Sequence, residues 1–321
     1  MSTTLVIGGS GYVGSRIVRS LAIAGPVDRV VIFDLNAPNL EQTRDLANVK
    51  FVKGSILNVG ELIDTMKKEQ VDRVIHTSYV YSGEAKDRPV EAAKYNFLGT
   101  VNVLEASRIL DAKKIVYSSA GAVYGSLDRS AVVNEDYPKT PRDFYDATKL
   151  SSENYGRLYR EAYGLQFVAL RMMGGYSADL NIPTVSYYVT NGLVKSAVRG
   201  EAVFLDLEPE ELVTIAHLDD AVRAFSIALE RNCPSAAYNL ASETVSIGKI
   251  VGLIKSAVPA ASIELNSQKG RETRNLYLSQ HVRGVYDVSR AKKEIGFAPQ
   301  HFILDEMNSL VQWQRRDLRD H

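Results

Sequence analysis

The sequence predicts an α/β fold, a doubly wound parallel sheet with a smaller, interleaved C-terminal substrate lobe. Three observations carry this expectation. Short runs rich in β-branched residues alternate with longer helical stretches over the first half of the chain. The runs are apolar throughout instead of alternating, the pattern of strands buried on both faces. The first run also ends in a glycine-rich turn that opens a helix, the unit from which such sheets are wound.

Taken in order, the strands are expected at residues 4–7, 30–33, 50–52, 73–76, 115–118 and 166–170, with helices at 14–24, 89–110 and 145–163. Right-handed crossovers between them give one parallel sheet covered on both sides. After Arg171 the rhythm breaks, and Gly174, Gly175, Pro183 and several tyrosines interrupt it. Residues 1–173 are therefore expected to form the first domain, completed by about 213–240, and residues 174–212 and 241–321 the lobe. Residues 217–229 read as a helix of the main fold, opened by Asp219 and Asp220, whose carboxylates complement the helix dipole. The tail WQRRDLRDH is expected to be a solvated end.

Composition excludes several function classes. The 321 residues are 45% hydrophobic and 24% charged, enough chain to bury a core without a disulfide or metal staple. Thirty-eight Lys and Arg balance thirty-eight Asp and Glu, which gives no basic field for nucleic acid and no polybasic face for a membrane. One cysteine, Cys233, excludes an internal disulfide and a Cys-rich zinc site, and no metal is expected. No apolar run approaches the ~18 residues of a membrane span. The opening MSTTLVIGG has no basic n-region and runs into a strand, so no signal peptide and a cytoplasmic location are expected.

The turn after the first strand is Gly8-Gly9-Ser10-Gly11-Tyr12-Val13-Gly14. In such a turn the first glycine makes the bend, the second lets the backbone approach a pyrophosphate, and the third lets helix and strand pack closely. The helix N-terminus then offers free N–H groups to the phosphates. Asp34 ends the second strand twenty residues after Gly14. A carboxylate there accepts from an adenosine ribose diol and repels a 2′-phosphate. Leu35, Asn36, Ala37 and Pro38 follow with no cation, so NAD is expected over NADP.

Tyr145 and Lys149 stand one helical turn apart on one face. A tyrosine titrates near 10, so service as a base at neutrality needs a depression of ~3 units, roughly 4 kcal/mol. A neighbouring ammonium and a positive nicotinamide ring supply a shift of that sign. The phenolate then takes the proton of a substrate hydroxyl while hydride leaves its carbon.

The chain resembles the extended short-chain dehydrogenase/reductases, the NAD-dependent epimerase/dehydratase group. The matching residues run along almost its whole length: Gly8, Gly11, Gly14 and Asp34, then YNFLGTVNVL at 95–104 and SSAGAVYG at 118–125. Tyr145, Lys149 and Arg171 follow, then HLDDA at 217–221, YNL at 238–240, and Asp287, Ser289, Ala291, Ile295, Gly296, Phe297 and Pro299. The resemblance implies a Rossmann NAD domain, with Tyr145 as acid/base and Lys149 lowering its pKa and binding the nicotinamide ribose. It implies a cofactor set of Gly8, Gly11, Tyr12, Val13, Gly14, Asp34, Ser55, Ile56, Thr77, Ser78, Asn96, Tyr145 and Lys149. A homodimer is also implied, its helices 89–110 and 145–163 pairing across a four-helix interface.

Several positions depart from the family pattern. A catalytic Ser or Thr usually stands four residues before the Tyr of the Val-Tyr-Gly turn, and here that position is Ala120. Ser119 can substitute if the strand end is bulged, and otherwise serves only to satisfy the backbone. Ser55 replaces an aspartate that contacts adenine. An Arg-Asp pair that holds the nucleotide of sugar-nucleotide substrates is replaced by Val213 and Thr214. Lys269, Arg271, Arg274 and Arg283 are other candidate cations for phosphate or carboxylate, with a solvated loop as the alternative. Tyr79 and Tyr81, beyond the fourth strand, face substrate or pack on the surface, and Ala120 borders the same space. His76 and His217 read as structural, and Asn96 as ordering the active-site helix.

Three functions remain. The first is an NAD-dependent epimerase acting on a secondary alcohol of a nucleotide-linked or other sugar, with catalytic residues Tyr145, Lys149 and Ser119. Dehydration is disfavoured because Gly121 and Ala122 stand where dehydratases carry an Asp-Glu pair. The second is a net dehydrogenase on a non-nucleotide polyol, sugar acid or hydroxy acid. The third is a non-catalytic NAD-binding sensor or scaffold.

Overall fold

In strand β1 (Thr3–Ile7), Leu5 and Ile7 face one layer of helices and Val6 the other, and all three are fully buried. That is why the strand runs read as apolar throughout. The computed structural model describes residues 2–320 except 26, 39–42, 44, 129–130, 181–184, 269 and 271–283. Six more strands join β1 in one parallel sheet: β2 (Arg29–Asp34), β3 (Val49–Lys53), β4 (Arg73–His76), β5 (Lys114–Ala120), β6 (Gln166–Met172) and β7 (Ala237–Leu240). Their order is β3-β2-β1-β4-β5-β6-β7. Winding reverses between β1 and β4, so the carboxyl ends of these two strands open a crevice.

Helices α1 (Tyr12–Ala24) and α2 (Val59–Lys68) follow β1 and β3. The rod α3 is composite: Pro89–Ala92, a π-helical stretch Ala93–Leu98, then Gly99–Ile109. Helix α4 (Phe144–Tyr163) is N-capped by Asp143, whose carboxylate accepts from Asp146 N at 2.8 Å, and ends at Gly164 with φ 72°. Helices α2, α3 and α4 cover one face of the sheet. Helices α5 (Asn191–Arg199), α6 (Leu218–Glu230), α7 (Ile247–Ala257), α8 (Ser289–Ile295) and α9 (Ile303–Asp320) complete the set used below. Among them α6 and α8 join α1 on the second face, through Phe225, Leu229 and Ile295.

The lobe has its own core. Leu193, Val194, Ile250, Ile254, Met307 and Leu310 of α5, α7 and α9 pack on a three-stranded sheet of Gly175–Tyr176, Leu212–His217 and Glu243–Ser246.

The six expected strands are present, most of them a residue or two longer. Four features differ from expectation. The helix expected at 89–110 is interrupted by the π-helical stretch around Asn96. Strand Leu212–His217 pairs within the lobe, while α6 and β7 return to the main sheet. Helix α8 packs on the main sheet although its residues fall in the range expected for the lobe. The tail is solvated but helical: it continues α9 to Asp320 with Arg315, Arg316, Leu318 and Arg319 exposed and Gln314 buried, while upstream the apolar spacing of Ile303, Met307, Leu310 and Val311 commits the helix to the lobe core. Among the described residues no helix is long and apolar enough to cross a membrane.

If α9 is part of the lobe core, Leu310→Ala destabilises the protein by about 2–5 kcal/mol. Urea unfolding of the variant against the parent measures this.

Candidate active site

The crevice is built by close approach of backbones. Gly8 turns with φ 77°, and a Cβ there would lie 2.6 Å from Ser78 N. Thr77 and Ser78, continuing from β4, pack directly on the turn, and Thr77 donates to Ile7 O from both its N–H (2.8 Å) and its hydroxyl (2.9 Å). At Gly14 a Cβ would stand 2.1 Å from Gly8 O, so α1 can lie against the turn only without a side chain. A Cβ at Gly11 would meet nothing nearer than Gly8 O at 3.2 Å, which leaves the outer side of the turn open. The N-terminus of α1 has no side-chain cap and no acidic residue in its first turn. Its leading N–H groups therefore face that opening uncompensated, a cradle that fits a pyrophosphate.

Asp34 closes the adenosine side. One carboxylate oxygen accepts from Ser10 N (3.1 Å), the other from Asn36 N (3.2 Å), and each keeps a further lone pair for a ribose hydroxyl. Ser55 lies next to it, its hydroxyl accepting from Leu57 N (3.2 Å). Ile56 turns its side chain into the core beneath Gly99, and Val13 packs against the sheet. Tyr12 reaches the other way. Its hydroxyl meets Ser177 Oγ and Asp179 Oδ1, both at 2.8 Å, while Arg16 lies over its ring and bonds Asp179.

Helix α4 brings Tyr145 and Lys149 to the carboxyl edge of β5. Lys149 is buried, and its Nζ donates to Ser118 O at 2.7 Å. Three phenol rings surround the ammonium: Tyr79 at 4.0 Å from Nζ to the ring centroid, Tyr117 at 4.9 Å and Tyr145 at 5.6 Å. Burial pulls Lys149 down to about 7, against the opposing charge of Glu153. Burial, with the neighbouring Tyr79 and Tyr117, holds the Tyr145 phenol well above its usual range. His76 is buried between Thr100 and Tyr117 and pushed down to about 3 by burial and by Lys149, so it is neutral.

Ser119 points elsewhere. Its hydroxyl donates to the Glu153 carboxylate, which Arg171 grips from Nε (3.0 and 3.1 Å) and Nη2 (2.6 Å) in a buried pair. Arg171 Nη1 also donates to Tyr124 OH (2.7 Å), which donates to Asn239 Oδ1 (2.6 Å). Ala120, the last residue of β5, pairs with Met172. The strand ends in register with no bulge before Ala120, so it does not swing Ser119 to the face of residue 120.

Asn96 is fully engaged by protein. Its amide accepts from Val80 N (2.6 Å) and donates to Val80 O (3.0 Å) and Thr148 Oγ1 (3.1 Å). It ties the loop after β4 to α4. Tyr81 lies against Gly83 at the start of a short helix, Ser82–Asp87. Arg271, Arg274 and Arg283, with Lys269, lie outside the described residues. Glu153 was missed in the sequence, although the spacing 145, 149, 153 puts it on the face of Tyr145 and Lys149. Asp146 was missed too. It is buried, and burial followed by the nearby Asp143 raises its carboxyl to about 7.

His217, His301 and Glu306 bring ligand-type atoms within 4.8 Å of one another. The two imidazoles stack at 4.4 Å with planes 18° apart, so their in-plane lone pairs run side by side instead of converging. His217 Nδ1 accepts from Asp219 N (3.3 Å) and caps α6.

The sequence profile of the NAD dependent epimerase/dehydratase family matches residues 4–241. A UDP-glucose 4-epimerase of Lactobacillus helveticus is 25% identical over 323 residues, covering 94% of this chain and 94% of its own. Among solved structures, a Thermotoga maritima UDP-glucose 4-epimerase with UDP-glucose superposes with a TM-score of 0.80 at 22% identity, covering 98% of this chain and 99% of the other. An L-threonine 3-dehydrogenase from Trypanosoma brucei gives 0.85 at 20% identity, covering 100% and 98%. At these identities the two structures speak for the fold.

Asp146 provides a pH-dependent prediction. Its folded pKa lies above that of an unfolded aspartate near 3.9, so the folded state retains a proton the unfolded chain gives up. The resulting penalty is absent below about pH 4, grows to pH 7 and is constant above. Asp146→Asn is therefore neutral at pH 4 and stabilising at pH 8, by at most about 4 kcal/mol. Denaturant titrations at the two pH values test it, and a pH-independent difference contradicts it.

Proposed function

This chain belongs to the NAD dependent epimerase/dehydratase family, and from that premise we propose that it epimerises a secondary alcohol of a nucleotide-linked sugar, with Tyr145 as acid/base. The observation that carries the reading is the placement of Tyr145 and Lys149 at the sheet edge beside the glycine-rich cradle. The nucleotide-sugar part is supported by curated relatives such as the Lactobacillus helveticus UDP-glucose 4-epimerase.

Bound NAD supplies a hydride acceptor that returns the hydride within the same turnover. The turn from Gly8 to Gly14 would hold the pyrophosphate, Asp34 the adenosine ribose, and Lys149 the nicotinamide ribose. Tyr145 would accept the hydroxyl proton of the sugar as the alcohol is oxidised to a ketone by the bound dinucleotide. With the ketone presented by its other face and reduced by the same dinucleotide, Tyr145 would give the proton back. The charged form of Lys149 lowers the phenol toward the neutral range, opposing the upward pull of burial.

One observation favours the second reading, a net dehydrogenase. Val213 is buried in the lobe core, and the Thr214 hydroxyl is bonded to Thr244 and to Gly284 O, so this strand presents no cation to a diphosphate. We also propose a homodimer through the outer faces of α3 and α4, where Val90, Leu98 and Phe144 are exposed around an apolar depression and Leu158 is exposed further along α4.

With UDP-glucose or UDP-galactose, the epimerase reading expects interconversion without bulk NADH, and a loss of about 10²–10⁴-fold in Tyr145→Phe. NADH accumulating in step with product favours the dehydrogenase. Full activity in Tyr145→Phe rejects both. Light scattering expects a dimer, and a monomer for Leu98→Glu.

A further inference from the structure

The last two residues of β5, Ser119 and Ala120, give a reacting oxygen no free side-chain hydroxyl. Ala120 has none, and that of Ser119 is held by Glu153. The Ser118 carbonyl is an acceptor already used by Lys149. An alcohol oxygen that becomes a carbonyl and returns carries changing charge, and it has lone pairs for two donors. Tyr145 engages one. A second donor fixed in place beforehand stabilises that changing charge.

The loop after β4 brings such a group. The Tyr79 ring stands edge-on to Tyr145, centroids 5.8 Å apart and planes at 61°. Its face covers Lys149 Nζ at 4.0 Å. The hydroxyls of Tyr12, Tyr124, Tyr159 and Tyr238 are each bonded to a neighbour. Among the described residues the Tyr79 hydroxyl makes no hydrogen bond; the Tyr176 hydroxyl is also unbonded, but it lies in the lobe core. Burial alone shifts it, and shifts it upward, so the phenol keeps its proton at neutrality. The loop is held rigidly. The Asn96 amide clamps both backbone groups of Val80 and at the same time bonds Thr148, next to Lys149. One side chain thus sets the spacing between the Tyr79 loop and the catalytic helix.

We propose that Tyr79 is the second hydroxyl donor of the catalytic site, bonded to the same substrate oxygen that exchanges its proton with Tyr145. The proposal rests on the alcohol-oxidation reading above. Tyr79 keeps its proton throughout. The substrate proton passes to the Tyr145 oxygen and back, and no group beyond those of the proposed reaction is needed.

The test compares the NAD-loaded wild type, Tyr79→Phe, Tyr79→Met and Tyr145→Phe, using UDP-glucose and UDP-galactose as turnover probes and NAD titration as a second readout. Tyr79→Phe keeps the ring over Lys149. Its NAD affinity and thermal midpoint are expected to stay within about twofold and a few degrees, with KM little changed and kcat about 10²-fold lower. Tyr79→Met, of different shape, is expected to lose kcat to the same degree and serves if Tyr79→Phe does not fold. Wild-type kcat in Tyr79→Phe with an inactive Tyr145→Phe overturns the role of Tyr79 and leaves the function standing. A parallel loss of NAD affinity in Tyr79→Phe makes the residue structural and also overturns it. A wild type that neither interconverts the two sugars nor reduces bound NAD with either defeats the function and this role together.

Discussion

A buried ammonium must be surrounded before anything else on its helix can be arranged, and Lys149 is that constraint here. Its Nζ has one carbonyl, Ser118 O, and three aromatic faces in place of water. The next inward position on α4, Glu153, carries the nearest opposing charge, and a carboxylate so buried needs its own cation. Arg171 supplies it from β6 and in turn orders Tyr124 and, through it, Asn239. Breaking a buried pair of this kind by removing one partner typically costs about 3–5 kcal/mol. The buried ammonium is thus anchored through α4, β6 and β7. The same chain accounts for Ser119, which is drawn into the Glu153 carboxylate and away from Tyr145.

The main sheet was legible because its strands are buried on both faces, which leaves an unbroken apolar run in the sequence. The crevice was legible because Gly8 and Gly14 meet backbone that no side chain could tolerate, and Asp34 sits where β2 ends. What escaped was set by partners distant in sequence. The π-helical stretch follows no local periodicity, and its Asn96 is defined by residue 80 and Thr148. The tail is solvated as its dense charges suggest, but it is helical because it extends α9, whose upstream residues Ile303, Met307, Leu310 and Val311 pack in the lobe core. Glu153 shares the face of Tyr145 and Lys149, but only the sheet beneath reveals that Ser119 and Arg171 converge on it.

Helices α3 and α4 do two jobs at once. Their inner faces hold Asn96, Tyr145 and Lys149, while their outer faces leave Val90, Leu98 and Phe144 in solvent. An apolar stripe on the back of the helix that carries Tyr145 couples the rigidity of the site to whatever shields that stripe.

The Tyr12 phenol has a wider consequence. It belongs to the first turn of α1, beside the glycine-rich cradle, yet its hydroxyl and the Arg16 above it are bonded to Ser177 and Asp179, where the chain enters the lobe. The two ligand-binding halves therefore share a mechanical joint. By thermodynamic reciprocity, whatever free energy cofactor occupancy lends to a particular lobe posture, a molecule seated in the lobe lends back to cofactor retention in equal measure.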